Sequence, residues 1–336
     1  MNRQQHITAR DVPEIRAELA AWLADTGPDG GQEVWARGFD PGTAAQERAA
    51  AARQAVTLQA AELFYVSADM TRMAVSAGQA LPSYRLHPED LPAPHGLLLW
   101  EEPATDAYDG GEYTGCPIIG MSWAQRGNRV EVRSWARREE WLAFMAKGDP
   151  RAGLRDLTPE EVRRLRLRNP QPIVCMSSGW LPFGRVPGWL SSAPEDTSGM
   201  TLAELEDLAR SSGRQEQAER ALVVTWLLMG QTLAREEDVR PSKAAVKHLH
   251  RLDPKLLTST RYVQLRHAKT VPEQRAQTGE AGGKTYRHRW IVRGHWKNQW
   301  YPSRQAHRPI YVHPHIKGPD GAPLLDPDRL VNVLRR

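Results

Sequence analysis

Apolar residues recur at helical spacing through the first part of the chain. A capping-box pattern, Asp11 with Glu14, precedes apolar positions 15, 19, 22 and 23 and predicts a helix that ends near residue 27. The same device, Thr43 with Gln46, precedes apolar positions 56, 60, 63, 66, 70, 73 and 77. Because these positions fall on one face of a helix, they predict one long helix that ends at Gly78.

Strand-like alternation begins after a proline-rich connection. Residues 96–102, 117–123 and 129–135 predict three strands, and the turn-like sequence at 125–128 joins the last two in an antiparallel meander. Further along, the pattern predicts helices at 137–147, 158–167, 201–229 and 242–250, with strands at 173–176 and 261–267. Together these elements predict an α+β fold, in which long helices pack on antiparallel sheets and the C-terminal part adds a basic β-hairpin or small sheet.

The formal net charge of +5 is unevenly distributed along the chain. Residues 1–150 contain 14 Lys and Arg against 21 Asp and Glu, whereas residues 151–336 contain 31 against 19. Residues 177–199 hold three Pro, four Gly and two Trp without a sustained period, which indicates an irregular connection at 181–199. We therefore expect an acidic α+β region at 1–180, with a regulatory or oligomerising role, and a region at 200–336 whose basic, aromatic strands bind a polyanion.

What the sequence lacks narrows the classes of protein to which it can belong. Cys116 and Cys175 have no metal-ligand spacing and predict free thiols in a reducing compartment. No apolar run is long enough to span a bilayer and no signal-peptide core is present, so a cytoplasmic protein without membrane association is expected. No P-loop, GxGxxG, HExxH, GxSxG or kinase signature occurs, and no cofactor is expected.

The segment 281–319 differs in composition from the rest of the chain. It contains no Asp or Glu, eight Lys and Arg, and five of the eleven histidines. Residues 286–293 alternate, which predicts a strand with one packed face and one cationic face. Gly294 then predicts a bulge or a close backbone approach, residues 295–301 predict a turn that ends at Pro302, and residues 309–313 predict a second strand beside the first.

This segment interleaves cations, aromatic rings and amide side chains, which are the groups that contact phosphates, stack on bases and read base edges. It therefore predicts a surface that binds RNA or DNA. The alternative interpretation is a basic edge hairpin whose tryptophans fill its own core. The residues expected to bind nucleic acid are Arg287, Arg289, Trp296, Lys297, Asn298, Gln299, Trp300, Tyr301, Arg304, Arg308 and Lys317.

Arg293 and His295 are the candidate catalytic residues. A histidine in a turn can transfer protons while a neighbouring guanidinium holds a phosphate, as a metal-independent, toxin-like ribonuclease requires. His313 and His315 alternate so that both imidazoles reach one face, where His288 could join them around a metal ion. No carboxylate lies in the segment to bind a hard cation such as Mg²⁺, and no metal site is predicted.

The run Arg293-Gly294-His295-Trp296-Lys297, followed by an aromatic and basic strand at 310–313, resembles segments of uncharacterised actinobacterial proteins encoded on mobile elements. The resemblance is confined to the C-terminal segment and implies no activity. We favour a nucleic-acid-binding protein of a mobile element or a defence system. A ribonuclease is the alternative, and a structural module that contacts an acidic protein or a second copy of the chain is the second alternative.

Overall fold

The structure of the chain is a computed structural model, and it describes residues 6–36, 40–82, 84–105, 108–109, 112–113, 116–147, 156–184, 202–266, 287–302, 305–312, 314–319 and 322–323. Its helices are α1 (Val12–Ala24), α2 (Gly31–Ala36), α3 (Pro41–Ala60), α4 (Ala68–Gln79), α5 (Arg138–Lys147), α6 (Pro159–Arg168), α7 (Leu202–Met229) and α8 (Lys243–Leu252). Its strands are β1 (Glu62–Val66), β2 (His95–Trp100), β3 (Tyr108–Asp109), β4 (Glu112–Tyr113), β5 (Gly120–Arg126), β6 (Arg129–Arg137), β7 (Ile173–Pro182), β8 (Ala234–Val239), β9 (Thr260–Leu265), β10 (Trp290–Val292), β11 (His295–Tyr301), β12 (Ala306–Val312) and β13 (His315–Lys317).

The largest sheet that the structure describes has seven strands in the order β7-β6-β5-β2-β1-β9-β8. β1 runs parallel to both of its neighbours, β2 and β9, and the other pairings in this sheet are antiparallel. The predicted α+β fold class is confirmed. The predicted meander is confirmed as well, since β2, β5 and β6 pair in antiparallel sequence.

Helices cover both faces of this sheet. On one face, α1 and α3 pack on the strands, and Leu19 and Trp135 are almost fully buried between them. On the other face, α4 and α7 enclose a larger core that contains Trp123 and Trp226. Burial of indole rings on both faces accounts for much of the unusual tryptophan content, since each ring removes a large apolar area from water.

The sheet also joins the two regions expected from the charge distribution. β8 and β9 follow residue 199, whereas β1 and β2 precede residue 180, and these four strands lie side by side. Val263 of β9 is fully buried in the same core as Phe64 of β1. Residues 185–201, which include most of the predicted connection at 181–199, lie outside the described residues.

The long helix predicted to end at Gly78 is wrong, because a strand divides it. α3 ends at Ala60, β1 follows, and α4 begins at Ala68. Leu63 and Val66, two of the apolar positions assigned to the predicted helix, lie in β1 and are both buried. A strand covered on both faces carries no alternation of apolar and polar residues, so its apolar positions coincide with helical spacing.

The C-terminal segment forms two short antiparallel pairs. β10 pairs with β13, and β11 pairs with β12. The predicted C-terminal hairpin is therefore confirmed, but the turn predicted at 295–301 is wrong, because these residues form β11. The second predicted strand is found as β12, with β11 rather than β10 as its partner.

Candidate nucleic-acid interface

Strands β11 and β12 form the hairpin that carries most of the candidate residues. Its register places Trp296 opposite Tyr311 and Trp300 opposite His307. Successive residues of a strand point to opposite faces. One face of β11 carries Trp296, Asn298 and Trp300, and the other carries His295, Lys297, Gln299 and Tyr301.

Gly294 lies between β10 and β11, against the ring of Tyr311. A Cβ atom at this position would lie 2.0 Å from the Tyr311 hydroxyl oxygen and 3.1 Å from Cδ of Pro314. These distances leave no room for a side chain. The close backbone approach predicted for Gly294 is confirmed, and it places Tyr311 tightly at the base of the hairpin.

Trp296 attaches the hairpin to the body of the protein. Its indole Nε1 donates a hydrogen bond to the carbonyl oxygen of Ala77 in the last turn of α4, 2.8 Å away. Its ring lies edge-on to Tyr311, with centroids 5.3 Å apart, and the backbone N–H of Tyr311 donates to Oε1 of Gln231 at 3.2 Å. Both rings pack on the core between α4 and α7. Trp296 was expected to contact nucleic acid; in the structure its half-buried ring and its N–H are used in this attachment, and a contact with nucleic acid stays a prediction.

Arg308 is held by acidic side chains of the body. Its Nη2 lies 3.4 Å from Oδ1 of Asp90 and 3.7 Å from Oε2 of Glu89. The Asp90 side chain is only 1% exposed, and its Oδ2 accepts hydrogen bonds from the Tyr84 hydroxyl and the His87 backbone N–H. Burial, reinforced by the hydrogen bond to Asp90, raises the pKa of Tyr84, so its hydroxyl remains a donor at neutral pH. Arg308 was expected to bind phosphate, and the structure instead pairs it with a buried carboxylate.

Arg289, Gln299 and Tyr301 are also engaged by the chain itself. The Arg289 Nε donates to the carbonyl oxygen of Ala322 at 2.9 Å. Gln299 is half-buried and its Nε2 donates to the carbonyl oxygen of Trp300 at 3.3 Å. Tyr301, also half-buried, lines a cleft of about 240 Å³ between the hairpin and the body. These three side chains were expected to bind nucleic acid, and in the structure each of them contacts or faces another part of the protein.

Four of the candidate cations are different, because they are exposed and unpaired. Arg287, Arg293, Lys297 and Lys317 are exposed, and none of them forms an ion pair with another residue that the structure describes. The segment 281–319 contains no carboxylate that could neutralise them. A concentration of uncompensated positive charge attracts polyanions and raises their rate of association.

Trp300 lies on the same face as Trp296 but is not covered by the body. It is 45% exposed, and its ring is tilted 54° to that of His307, with centroids 4.9 Å apart. Asn298, between the two tryptophans, is exposed. His307 was not expected from the sequence, and only the strand register, which places it opposite Trp300, could have indicated it.

We use the term hairpin surface for the exposed residues of this region, namely Arg293, His295, Lys297, Asn298, Trp300 and His307. Two residues named in the sequence analysis cannot be assigned to it. Arg304, a candidate phosphate contact, and His313, a candidate metal ligand, lie outside the described residues. Among the residues that are described, no group of three or more His, Cys, Asp or Glu is placed to hold a metal ion.

His295 is exposed, and its ring is oriented by the backbone. Nδ1 lies 3.1 Å from the carbonyl oxygen of Arg293. A carbonyl oxygen can only accept, so Nδ1 carries the proton in this hydrogen bond and Nε2 is the nitrogen available to a ligand. The contact links the two candidate catalytic residues through the Arg293 backbone, while the Arg293 guanidinium stays exposed.

A scan of the sequence against protein-family models and a search of curated proteins gave no match. None of the helices in the described ranges is both long enough and apolar enough to cross a bilayer.

Proposed function

We propose that the protein binds single-stranded nucleic acid through the hairpin surface. The observation that carries the proposal is that one exposed hairpin presents the ring of Trp300 together with Arg293 and Lys297, two exposed cations that form no ion pair with any residue that the structure describes. Lys297 lies on the opposite face of β11 from Trp300. Cations at such a surface bind phosphates with release of counterions, and an indole stacks on any base because every base has a π-face.

The exposed ring supports single strands over a duplex. In a duplex the faces of the bases are stacked on one another, whereas an unpaired base can lie on an aromatic side chain. Asn298 adds an exposed amide close to Trp300, which can donate to and accept from a base edge. The hairpin surface therefore offers stacking and base-edge contacts on the Asn298 and Trp300 face of β11, with phosphate contacts from Lys297 on the opposite face and from Arg293 just before the strand.

Fluorescence anisotropy with labelled single-stranded RNA, single-stranded DNA and duplex DNA tests the proposal. The variant Arg293→Ala/Lys297→Ala should weaken binding to single strands by about tenfold and reduce the slope of log K against log salt by about 1 to 2. The matched control is Lys243→Ala/Lys247→Ala, which removes the same charge from exposed positions of α8. Because α8 lies beside α1, on the opposite face of the sheet from the hairpin, the control should bind like the wild type.

Two outcomes would count against the proposal, the first against the hairpin surface and the second against a nucleic-acid partner. The first is equal weakening in the hairpin variant and the α8 variant, which would assign binding to net charge alone. The second is that the wild type retains an acidic polypeptide such as polyglutamate but no polynucleotide, which would favour the structural module that contacts an acidic protein.

Ribonuclease activity is the second candidate function, and the orientation of His295 favours it. The hydrogen bond to the Arg293 carbonyl leaves Nε2 free to take a proton from a 2′-hydroxyl, while the Arg293 guanidinium is exposed to hold the phosphate. His295→Ala should then retain RNA binding and lose cleavage by about 10²–10⁴-fold. Cleavage should persist in EDTA and spare DNA, which lacks the 2′-hydroxyl. RNA that is bound but remains intact across a range of pH would exclude this activity.

A further inference from the structure

Helix α8 carries a second cationic surface. Residues 239–252 contain no Asp or Glu. We use the term α8 surface for five exposed cations of α8 and its flanks and for two exposed leucines, namely Arg240, Lys243, Lys247, Arg251, Lys255, Leu252 and Leu257. Because α8 packs beside α1, on the opposite face of the sheet from the hairpin, the α8 surface is separate from the hairpin surface.

The fold holds α8 so that its cations face outward. Ala245 and Leu249 are buried on the inner side of the helix. Lys243, Lys247 and Arg251 follow one another at intervals of four residues, which places them about 6 Å apart along one side of the helix. The helix therefore presents a row of positive charges in a fixed position.

The protein does not neutralise this row. None of the five cations forms an ion pair within the described part of the chain. The preceding strand β8 is acidic, but Glu236 lies 3.7 Å from Arg261 and Glu237 lies 3.7 Å from Arg235, and the third carboxylate, Asp238, forms no ion pair with the α8 surface. Positive charge that the protein leaves uncompensated attracts polyanions.

The two leucines add exposed apolar area at the end of α8. Leu252 is 47% exposed and Leu257 is 46% exposed. The position of Leu257 is fixed by the body, because its carbonyl oxygen accepts a hydrogen bond from Nη2 of the buried Arg16 at 2.7 Å. The α8 surface therefore combines positive charge with apolar side chains.

The residue types of the α8 surface differ from those of the hairpin surface. Residues 240–257 contain no Phe, Tyr, Trp, Asn or Gln, so the rings that stack best on bases and the amides that read base edges are missing. A bilayer fits poorly as well, because an interfacial helix inserts its apolar face among lipids, whereas Ala245 and Leu249 of α8 are buried in the protein. An acidic polypeptide meets both features, since its carboxylates pair with the cations and its apolar side chains pack on the leucines.

We propose that the α8 surface docks an acidic segment of another protein, whose carboxylates meet Lys243, Lys247 and Arg251 and whose apolar side chains pack on Leu252. Complementary charge speeds the encounter and sets the orientation of the segment, and the guanidinium of Arg251 can bind a carboxylate through two parallel hydrogen bonds. Because the sheet lies between the two surfaces, the protein can hold this partner and nucleic acid at the same time.

Fluorescence anisotropy with a labelled peptide that repeats Glu-Glu-Ala-Leu four times tests the proposal on the full chain. The wild type should bind with a dissociation constant below about 100 μM. Lys247→Glu should weaken binding by about tenfold, because it replaces an attraction with a repulsion while it keeps a residue that favours helix. The matched control is Arg85→Glu, which reverses an exposed cation without an ion pair among the described residues, outside both surfaces, and should bind like the wild type.

A second pair of measurements tests the apolar contact. Leu252→Ser should weaken binding of the Glu-Glu-Ala-Leu peptide by about threefold and leave binding of a Glu-Glu-Ser-Ser peptide of equal length and charge unchanged. Lys243→Glu provides a second charge reversal that does not threaten the fold, because an acidic residue in the first turn of a helix is stabilising. It should weaken binding of both peptides.

Four outcomes would overturn the proposal. The first is that the wild type binds neither peptide, and the second is equal weakening in Lys247→Glu and Arg85→Glu, which would assign binding to net charge. The third is that Lys247→Glu weakens binding of single-stranded RNA as much as binding of the peptide, which would assign the α8 surface to nucleic acid. The fourth is binding to phosphatidylserine vesicles without binding to the peptides, which would assign it to a membrane. The peptide assay contains no nucleic acid, so its result is independent of the proposed function.

Discussion

The seven-stranded sheet and the C-terminal hairpin use tryptophan in opposite ways. Trp123 of β5 is 1% exposed, stacks on Phe64 at 5.6 Å and meets the edge of Trp226 at 5.1 Å, and its Nε1 donates to the carbonyl oxygen of Ala93. Trp300 of the hairpin is 45% exposed and has His307 as its ring neighbour. The first indole fills a core, and the second is available to a ligand.

The hairpin repeats this contrast within four residues. Trp296 and Trp300 lie on one face of β11, yet Trp296 rests on α4 and the core while Trp300 does not. The cations divide in the same way, since Arg308 is paired with Asp90 whereas Lys297 forms no ion pair with any of the described residues. Residue type therefore does not decide the role of a side chain here. The role is decided by whether the body of the protein contacts the side chain.

The largest effect we expect is on the free energy of unfolding, and it separates the two regions. Trp123→Ala should lower it by about 3–5 kcal/mol, because the substitution leaves a cavity and removes two ring contacts. Trp300→Ala should change it by less than about 0.5 kcal/mol, because the ring is already half in water. Urea titration followed by circular dichroism measures both.

A similar loss in the two variants would break the comparison. It would mean that Trp300 stabilises the fold, as in the alternative interpretation of the segment as a hairpin whose tryptophans fill its own core.

The sequence predicts the antiparallel meander and most of the helices, and it misses strands β1 and β8 for two different reasons. Helices α1 and α6 are both predicted from residues at helical spacing. Thr158 and Glu161 form a capping box at the start of α6, whereas Asp11 makes no side-chain cap hydrogen bond at the start of α1, so the capping box predicted there is not formed. β1 is covered on both faces and is mistaken for helix. β8 is an edge strand whose residues 235–238 are exposed and charged, so no apolar alternation indicates it.

The candidate site is predictable as a segment but not residue by residue. Absence of carboxylates and the interleaved aromatic residues identify 281–319 as unusual. The pairing of Arg308 depends on Asp90, more than two hundred positions earlier in the chain, and the attachment of Trp296 depends on Ala77. Contacts between residues so far apart in the sequence cannot be deduced from the spacing of residues within one segment.

A smaller effect should distinguish the paired cation from the unpaired one. Arg308→Gln leaves the Asp90 carboxylate buried with two hydrogen bonds but no ion pair. We expect it to lower the free energy of unfolding by about 1–2 kcal/mol, less than for a fully buried pair, because the Arg308 side chain is 22% exposed and solvent screens it. Lys297→Gln should leave stability unchanged.

A double-mutant cycle with Asp90→Asn assigns the cause. If the ion pair is responsible, the double variant should lose less stability than the sum of the two single variants. Additive losses would show that Arg308 and Asp90 act independently, and Arg308 would then return to the set of candidate phosphate contacts.

The smallest effect we expect is the contribution of Trp300 to the protein's affinity for nucleic acid. It tests whether the exposed indole of the hairpin contacts a ligand. Base stacking contributes about 1–3 kcal/mol per base, and we expect about 1 kcal/mol here because the His307 ring already lies against Trp300. Trp300→Ala should therefore weaken single-strand binding about fivefold, whereas Trp300→Phe should recover most of the loss because it restores a stacking face. The salt slope should be unchanged in both variants, since no charge is removed. Anisotropy at several salt concentrations separates these terms. If Trp300→Ala binds as tightly as the wild type while Arg293→Ala/Lys297→Ala binds more weakly, the hairpin contacts phosphates without stacking, and duplexes become as good a ligand as single strands.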